Sequence, residues 1–372
     1  MRVMVAMSGG VDSSVAAAMM VDAGHEVLGV TMKLRETSAE ERAGRSASCC
    51  SPDDLLDARQ VCDTLGIAHY VVDYRDVFRQ TVIEPFAESY LRGETPNPCV
   101  RCNDHVKFAP LLDRAEALGA DYLVTGHYAQ IRPGPDGRGM LCRGVDARKD
   151  QSYFLFGLRR EAIDRLRFPL GTLSKDEVRA RAQRMGLPTW DKADSEDICF
   201  VPGGDYTRVV ERIAGPGRLP AAGEIRHLDG RTLGEHHGVH HFTVGQRKGL
   251  GVAGGERLYV VNVDAAENVV RVGPRDALLA HALRATGCHW IDAPPAPGQR
   301  VRVQIRYRHT GADAEIFADG DRALIRFTEP QSAIAPGQAA VVYAGDQVLG
   351  GGWIERVGPV VLDEARAARH GG

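Results

Sequence analysis

Ser8-Gly9-Gly10-Val11-Asp12-Ser13-Ser14 stands directly behind the apolar run Arg2 to Met7. The run reads as a short strand, and Ser13 to Ala23 reads as a helix closed by Gly24. A strand that enters a helix through two glycines gathers bare backbone N–H groups at the positive end of the helix dipole. Gly9 and Gly10 let the backbone turn tightly and come close to an anion. The stretch therefore reads as a phosphate-gripping loop. It is not the Gly-x4-Gly-Lys-Ser/Thr loop, which this chain lacks. The plainer alternative is a Gly-Gly turn capped by Asp or Ser.

The alternation continues outward from that loop. Glu26 to Met32 reads as a strand and Asp53 to Leu65 as a helix, with Leu55, Leu56, Val61, Cys62 and Leu65 on one side. His69 to Tyr74 is a strand, Asp76 to Arg92 and Asp104 to Leu118 are helices, and Asp121 to Gly126 is a strand. This order predicts a doubly wound parallel sheet of the α/β class, with ligands at the carboxyl ends of its strands. The glycine loop, Met32 and Gly126 all fall at such ends. Helical pattern runs on to about Gly186, with Ser174 as an N-cap, and Asp191 to Gly204 reads as a polar loop.

From Pro220 the chain turns to short alternating runs. Asp319-Gly320 and Gly345-Asp346 are hairpin signals between apolar segments. Val301, Val303, Ile305 and Tyr307 alternate with Arg300, Arg302, Gln304, Arg306 and Arg308, which predicts a strand with one apolar and one basic face. The expected organisation is a catalytic domain over 1–204, a small central domain over 205–275, a C-terminal β-barrel over 276–362 and a frayed tail over 363–372.

The chain has 372 residues, 44% hydrophobic and 26% charged, with net charge −3, the balance of an ordinary water-soluble protein. No apolar run reaches membrane-spanning length, so the expected setting is the cytoplasm, with no membrane partner and a monomeric state. A slightly acidic chain is no indiscriminate nucleic-acid binder, so any such contact comes from local patches such as Arg148-Lys149 and the basic strand. The eight cysteines do not form a secreted-type disulfide framework. Cys62 and Cys142 sit among apolar neighbours and read as core. Cys99-x2-Cys102 lies in the Pro-stiffened stretch Thr95-Pro96-Asn97-Pro98-Cys99-Val100-Arg101-Cys102-Asn103, read as a loop between two helices. Cys102, just ahead of the helix from Asp104 and beside Arg101, is placed to have its thiol activated. Cys199 stands in a second polar loop. His236, His237, His240 and His241 invite a metal reading, but a polar turn is the simpler one.

The glycine loop resembles the PP-loop of the ATP pyrophosphatases, which grips the pyrophosphate released on adenylation. The resemblance sharpens with SGGVDSS, Met32, TPNPCVRCN, TGHYAQI from Thr125, DQSYFLF from Asp150, DICF from Asp197, FTVGQRKGLG from Phe242 and PGQ from Pro336. In that order, over nearly the whole chain, they resemble the bacterial tRNA-specific 2-thiouridylases. The resemblance implies sulfur insertion at C2 of the wobble uridine (position 34) of tRNAs for Lys, Glu and Gln. It implies ATP, with Mg2+, held by Ala6, Met7, Ser8, Gly9, Gly10, Val11, Asp12, Ser13, Met32 and Gly126. It implies Cys102 as nucleophile, Cys199 as persulfide bearer and a transient disulfide between them, with Asp12 assisting adenylation. Asn97, Pro98, Cys99, His127, Arg148, Lys149, Asp150, Arg306, Tyr307 and Gln338 match positions that contact tRNA, and a sulfur-donor protein is a further partner.

The chain departs from the common pattern at Cys99, where an aspartate often stands. Cys99, Cys102 and Cys199 then form a candidate ligand set for three irons of a [4Fe–4S] cluster, the alternative to a persulfide route. Zinc is a third option, with Cys49-Cys50 as an untested source of further ligands. The chemistry needs these residue types. A uridine C2 oxygen leaves poorly until adenylation converts it to AMP, and a soft activated sulfur must then attack. A PP-loop amide or C–N ligase is the competing enzyme class, but it needs no Cys102–Cys199 pair. A non-catalytic RNA-binding module needs no PP-loop.

Overall fold

Parallel pairing organises the N-terminal third of the chain. The computed structural model describes residues 1–36, 52–194, 198–252 and 257–356, so Cys49-Cys50, Asp197 and the 363–372 tail lie outside the described residues. Two compact units are present. The first holds Met1–Ile83, Pro98–Asp205 and Asp346–Val348, and the second holds Glu84–Asn97, Tyr206–Gly345 and the chain from Leu349.

In the first unit, β1 (Arg2–Ala6), β2 (Glu26–Lys33), β3 (Ala68–Asp73), β4 (Tyr122–Val124) and β7 (Leu166–Arg167) form a sheet in the order β3-β2-β1-β4-β7. All four pairings are parallel. The chain leaves β1 toward β2 and β3 on one side and returns to β4 on the other. The crevice at the carboxyl ends of β1 and β4 is the topological switch point, where such sheets bind ligands. Helix α1 (Val11–Asp22) lays the buried run Val15–Ala18 on Val3, Val5, Val27 and Val124. Three consecutive alanines let its backbone come close to the sheet. Helix α2 (Pro52–Leu65) buries Asp54, Ala58, Val61 and Cys62, at helical spacing. Leu56, expected on that face, is 53% exposed, because one residue past Leu55 turns the side chain about 100° away.

The segment read as a loop before Asp104 is helical. Helix α3 (Arg75–Phe78) runs through a π-helical turn, Arg79–Ile83, into α4 (Glu84–Leu91). After Thr95–Asn97, α5 (Pro98–Cys102) continues through a second π-helical stretch, Asn103–Phe108, into α6 (Ala109–Ala117). Proline is at home in a first helical turn, so Pro98 starts the helix where it was expected only to stiffen a loop. Cys102 has helical backbone angles (φ −63, ψ −43) within this run and is not at a helix start. β5 (Ala129–Pro133) and β6 (Gly139–Arg143) form a hairpin, α7 (Arg160–Asp164) precedes β7, and α8 (Lys175–Arg184) starts at a Ser174–Glu177 capping box.

The second unit begins its C-terminal part with α9 (Tyr206–Ala214), whose Tyr206 ring stacks on Tyr90 of α4 at 4.2 Å. β8 (Gly223–His227), β9 (Thr232–His236), β10 (Tyr259–Asp264) and β11 (Val269–Gly273) form a four-stranded sheet around Ile225, Val260, Val263, Val270 and Val272. Six strands follow: β12 (Leu279–Trp290), β13 (Gln299–Gln304), β14 (Ala312–Asp319), β15 (Arg322–Ser332), β16 (Ala339–Ala344) and β17 (Gln347–Ile354). They run in the order β12-β15-β14-β13-β16-β17 and close through β12–β17 pairing, a barrel filled by Leu283, Val301, Val303, Ile316, Ile325 and Val342. The α/β sheet, the small middle sheet and the closed barrel are the architecture read from the sequence.

The basic strand is shorter and less basic than its alternation suggested. β13 ends at Gln304, whose amide donates to the carbonyls of Arg306 (3.3 Å) and Tyr307 (2.7 Å) and turns the chain. Arg300 and Arg302 face Glu315 and Asp313 across the β13–β14 pair. The sheet register thus offsets two of the charges that sequence periodicity counted as one basic face.

Candidate active site

The glycine loop is stapled from within. Ser8 N donates to Ser13 Oγ at 3.1 Å, and the Ser13 and Ser14 hydroxyls donate to Gly10 O at 3.1 and 2.8 Å. Thr189 Oγ1 donates to Ser14 Oγ at 3.0 Å. Gly9 has φ +72°, and a Cβ there would lie 2.0 Å from Asp54 O, so backbone packing and conformation both demand glycine. Across the crevice Gly126 lies against the helix start, where a Cβ would sit 2.8 Å from Asp12 C and Ser13 N. Gly10 is the N-cap and offers no side chain to the first N–H groups of α1. Those donors are the ones an anion can take. Met7 and Val11 are buried behind the loop, and Met32 lies near the end of β2.

Charges converge on Asp12. Lys175 Nζ donates to Asp12 Oδ1 (2.7 Å) and Oδ2 (2.9 Å), and the Tyr128 hydroxyl donates to Oδ1 (2.7 Å). Burial and the Asp12 charge both push the Tyr128 phenol upward, so it stays a donor. Lys175 also meets Asp194 at 2.9 Å, and Asp194 takes Lys149 (2.6 Å) and Arg179 (2.8 Å). Burial would raise the Asp194 pKa, but Lys149 and Lys175 outweigh it and hold it down to about 2. A second ammonium, Lys192, donates to Gly9 O at 2.9 Å and pairs with Asp54 at 2.6 Å and with Asp57. Sequence reading missed both lysines. Lys175 is the first residue of α8 and is only 6% exposed, a burial that lysine accepts only when paired. The signal available was the capping sequence Ser174-Lys175-Asp176-Glu177, which fixes the start of α8.

The cysteine segment has a different character. Cys99 is exposed and Cys102 buried, three residues apart on one helical turn. α5 packs on the π-helical turn Arg79–Ile83. Phe200, next to Cys199, meets Phe78 edge-to-face at 5.7 Å. The helix that ends at Cys102 and the residue after Cys199 thus both pack on the 75–83 helical segment, although 97 positions separate the two cysteines. Asp104, also missed from sequence, lies two residues past Cys102 in the π-helical stretch, a frequent feature of functional sites. Burial, opposed by Arg101, raises its carboxyl to about 7, and its Oδ1 is buried without a hydrogen-bond partner.

The residues matched to tRNA contacts divide by what they already hold. Arg148 projects with 78% of its side chain exposed. Lys149 is committed to Asp194. Asp150 is buried and accepts from Arg143, Gly144 N, and both Ser152 N and Oγ. His127 bonds Thr125 Oγ1 at 2.7 Å, and burial with the Lys107 charge lowers it to about 3, so it is neutral at physiological pH. Asn97 is buried. Gln338 Nε2 donates to Thr95 O (2.9 Å) and Pro96 O (3.2 Å), and Thr95 N donates to Pro336 O (2.7 Å), so the PGQ motif clamps the residues that lead into Pro98. Arg306 is exposed and donates to Ser332 O at 3.2 Å, with Tyr307 beside it in the turn.

A parallel sheet with an uncapped glycine loop at its switch point defines a nucleotide-binding α/β domain that handles phosphates at a helix N-terminus. Residues 1–203 match the family model described as the tRNA methyl transferase HUP domain, 218–274 its PRC-barrel domain, and 280–354 the aminomethyltransferase β-barrel domain. The chain is 50% identical over 368 residues to "tRNA-specific 2-thiouridylase MnmA" of Sinorhizobium fredii, covering 95% of this chain and 92% of the relative. It is 49% identical over 357 residues to the protein of that name from Geobacter metallireducens, with 95% and 96% covered. The Rhodospirillum centenum protein of that name is 51% identical over 365 residues, with 95% and 92% covered. The chain belongs to the tRNA-specific 2-thiouridylase family. Among the described residues, no helix is long and apolar enough to cross a membrane.

Proposed function

We propose that this chain uses ATP to adenylate C2 of the wobble uridine of tRNAs for Lys, Glu and Gln and then replaces that oxygen with sulfur. The observation that carries the reading is the uncapped start of α1 behind Gly9-Gly10, in a chain that also holds Cys99 and Cys102 on one helical turn. ATP enters with its Mg2+, and its pyrophosphate lies against the N–H groups of the loop, where Lys175 and Lys192 hold the carboxylates of Asp12, Asp194, Asp54 and Asp57 in ion pairs. Asp12 is neutralised by Lys175 and Tyr128, so it holds the ammonium in place without repelling the triphosphate. The uridine oxygen attacks the α-phosphorus and pyrophosphate leaves. The outer sulfur of a persulfide on Cys199 then attacks C2 and AMP departs; the Cys102 thiolate attacks Cys199 Sγ, breaking its bond to the new C2 sulfur and leaving 2-thiouridine and a Cys102–Cys199 disulfide. A dithiol reductant reopens the Cys102–Cys199 disulfide, the persulfide of a sulfur-donor protein then reloads the freed Cys199 thiol as the donor's own thiol is released, and the substrates place the reaction in the cytoplasm. Expected division of labour follows the boundaries 1–204, 205–275 and 276–362.

Cys99 in place of the more usual aspartate favours a second sulfur route. Cys99, Cys102 and Cys199 are three soft donors of the kind that hold an iron–sulfur cluster, which when bound supplies sulfide at an open iron. With unmodified tRNA the protein should release AMP and pyrophosphate, and 2-thiouridine should appear in the digested tRNA. Turnover that is indifferent to tRNA, or that joins an amine to a carboxylate, would replace this reading with the ligase. Iron per chain, measured anaerobically in wild type, Cys99→Asp and Cys199→Ser, separates the sulfur routes. Full thiolation by iron-free protein given a persulfide donor eliminates the cluster. Thiolation only after cluster reconstitution eliminates the persulfide.

A further inference from the structure

The histidine-rich turn of the middle sheet holds two kinds of histidine. His236 is fully employed: its Nδ1 accepts from Gly238 N at 3.0 Å, and its Nε2 lies 3.3 Å from Asn268 O. His240, on the single turn Val239–His241, is 2% exposed, yet neither ring nitrogen has a hydrogen-bond partner. A buried polar group left without a partner is unfavourable, so the site favours whatever can bond it. Its ring packs against Gly238, where a Cβ would come within 2.5 Å of His240 Cε1. Glu211 of α9 faces it. Glu211 Oε1 lies 3.7 Å from His240 Nε2 and 3.8 Å from His241 Nε2, and the three donor groups lie within 4.8 Å of one another. The centroids of the two imidazole rings are 4.1 Å apart, so both rings face the same small space.

We propose that Glu211, His240 and His241 bind a divalent transition-metal ion of the Zn2+ class. Two imidazoles and one carboxylate are the donors that suit zinc, whereas calcium and magnesium call for oxygen. Metal–ligand bonds of about 2.0–2.1 Å in a tetrahedron set the donors roughly 3.4 Å apart, so the Glu211 oxygen, at 3.7 and 3.8 Å from the two ring nitrogens, needs to approach by only a few tenths of an ångström, and side-chain rotation closes what remains within the 4.8 Å group. An ion here takes up an unpartnered nitrogen of His240. The Glu211 and His241 side chains are 42% and 33% exposed, which gives the ion a way in and leaves its fourth position to water. Its effect is to pin α9 to the turn that leads into Phe242–Leu250. The site lies far along the sequence from the cysteines and does not depend on the sulfur route.

The test uses the full chain with Cys49, Cys50, Cys99, Cys102 and Cys199 changed to Ser, stripped of metal and titrated with Co2+ and Zn2+. One equivalent of zinc should be retained. The cobalt form should show visible ligand-field bands without thiolate charge-transfer absorption. Glu211→Gln and His241→Gln change partly exposed side chains with little loss of shape, and far-UV circular dichroism verifies that they fold. Each should weaken metal affinity by at least about a hundredfold. The zinc-induced rise in thermal midpoint should disappear with it. Zinc stoichiometry and affinity unchanged in both variants, thiolate bands in the cobalt form, or no zinc retained at micromolar concentrations would each overturn the proposal.

Discussion

Lys175→Met is the most informative single change in the nucleotide site. The ammonium is 7% exposed and contacts Asp12 at 2.7 Å and Asp194 at 2.9 Å. Removing one partner of a buried ion pair costs about 3–5 kcal/mol, because the other charge is left uncompensated. Water reaches the partners here, since the Asp12 and Asp194 side chains are 34% and 21% exposed. Asp194 also keeps Lys149 and Arg179. The expected loss is therefore smaller, about 2–3 kcal/mol. For a unit of this size that lowers the thermal midpoint by about 5–10 °C. Urea denaturation followed by circular dichroism measures it. The pairing is isolated by the double variant Lys175→Met/Asp12→Asn, in which neither partner is charged. It should recover about 1 kcal/mol or more relative to the sum of the single changes. Pyrophosphate release should fall in Lys175→Met, because Asp12 then faces the triphosphate as a bare anion. Additivity of the two changes within about 0.5 kcal/mol, or wild-type stability of Lys175→Met, would refute the charge balance argued for this site.

Other outcomes follow from single contacts. Gly9→Ala should destabilise the chain by about 3 kcal/mol or more and abolish ATP binding, since a Cβ meets Asp54 O at 2.0 Å where φ is +72°; calorimetric ATP titration checks it. Asp104 has its folded pKa raised from 3.8 to about 7, so the stability of its neutral form is fully present below pH 3.8 and is lost as pH rises through 7. Asp104→Asn should flatten the stability profile over that window and gain up to about 4 kcal/mol over wild type at pH 8, read by urea midpoints across pH. Gln338→Ala removes both side-chain bonds to Thr95 and Pro96 and should raise the tRNA concentration needed for half-maximal thiolation while leaving ATP affinity alone. Arg306→Ala should reduce the salt slope of tRNA binding by about one unit; an unchanged slope returns this turn to the solvated surface.

Legibility of this protein from its sequence followed the range of the forces involved. The strand–glycine–helix start, the parallel alternation, the Ser174 cap and the Asp319-Gly320 and Gly345-Asp346 hairpins are set by residues within one turn of each other, so the sequence by itself determined them. The same local rules placed Gly9, Gly10 and Asp12 at the start of the first helix, behind the carboxyl end of β1. They failed where a residue's surroundings come from distant segments. Lys175 and Lys192 carry no local mark of function, and only the packing of α8 and its following loop brings them to Asp12 and to Gly9 O. The basic face of β13 looked continuous because periodicity does not know that Glu315 and Asp313 lie opposite. Asp150 and Lys149 looked available for tRNA until the fold enclosed one and paired the other. Among four neighbouring histidines, sequence had no means of separating His236, which holds its turn, from His240, which is left unpartnered opposite Glu211. Charge compensation and desolvation act through space, and only the tertiary structure decides which charges meet.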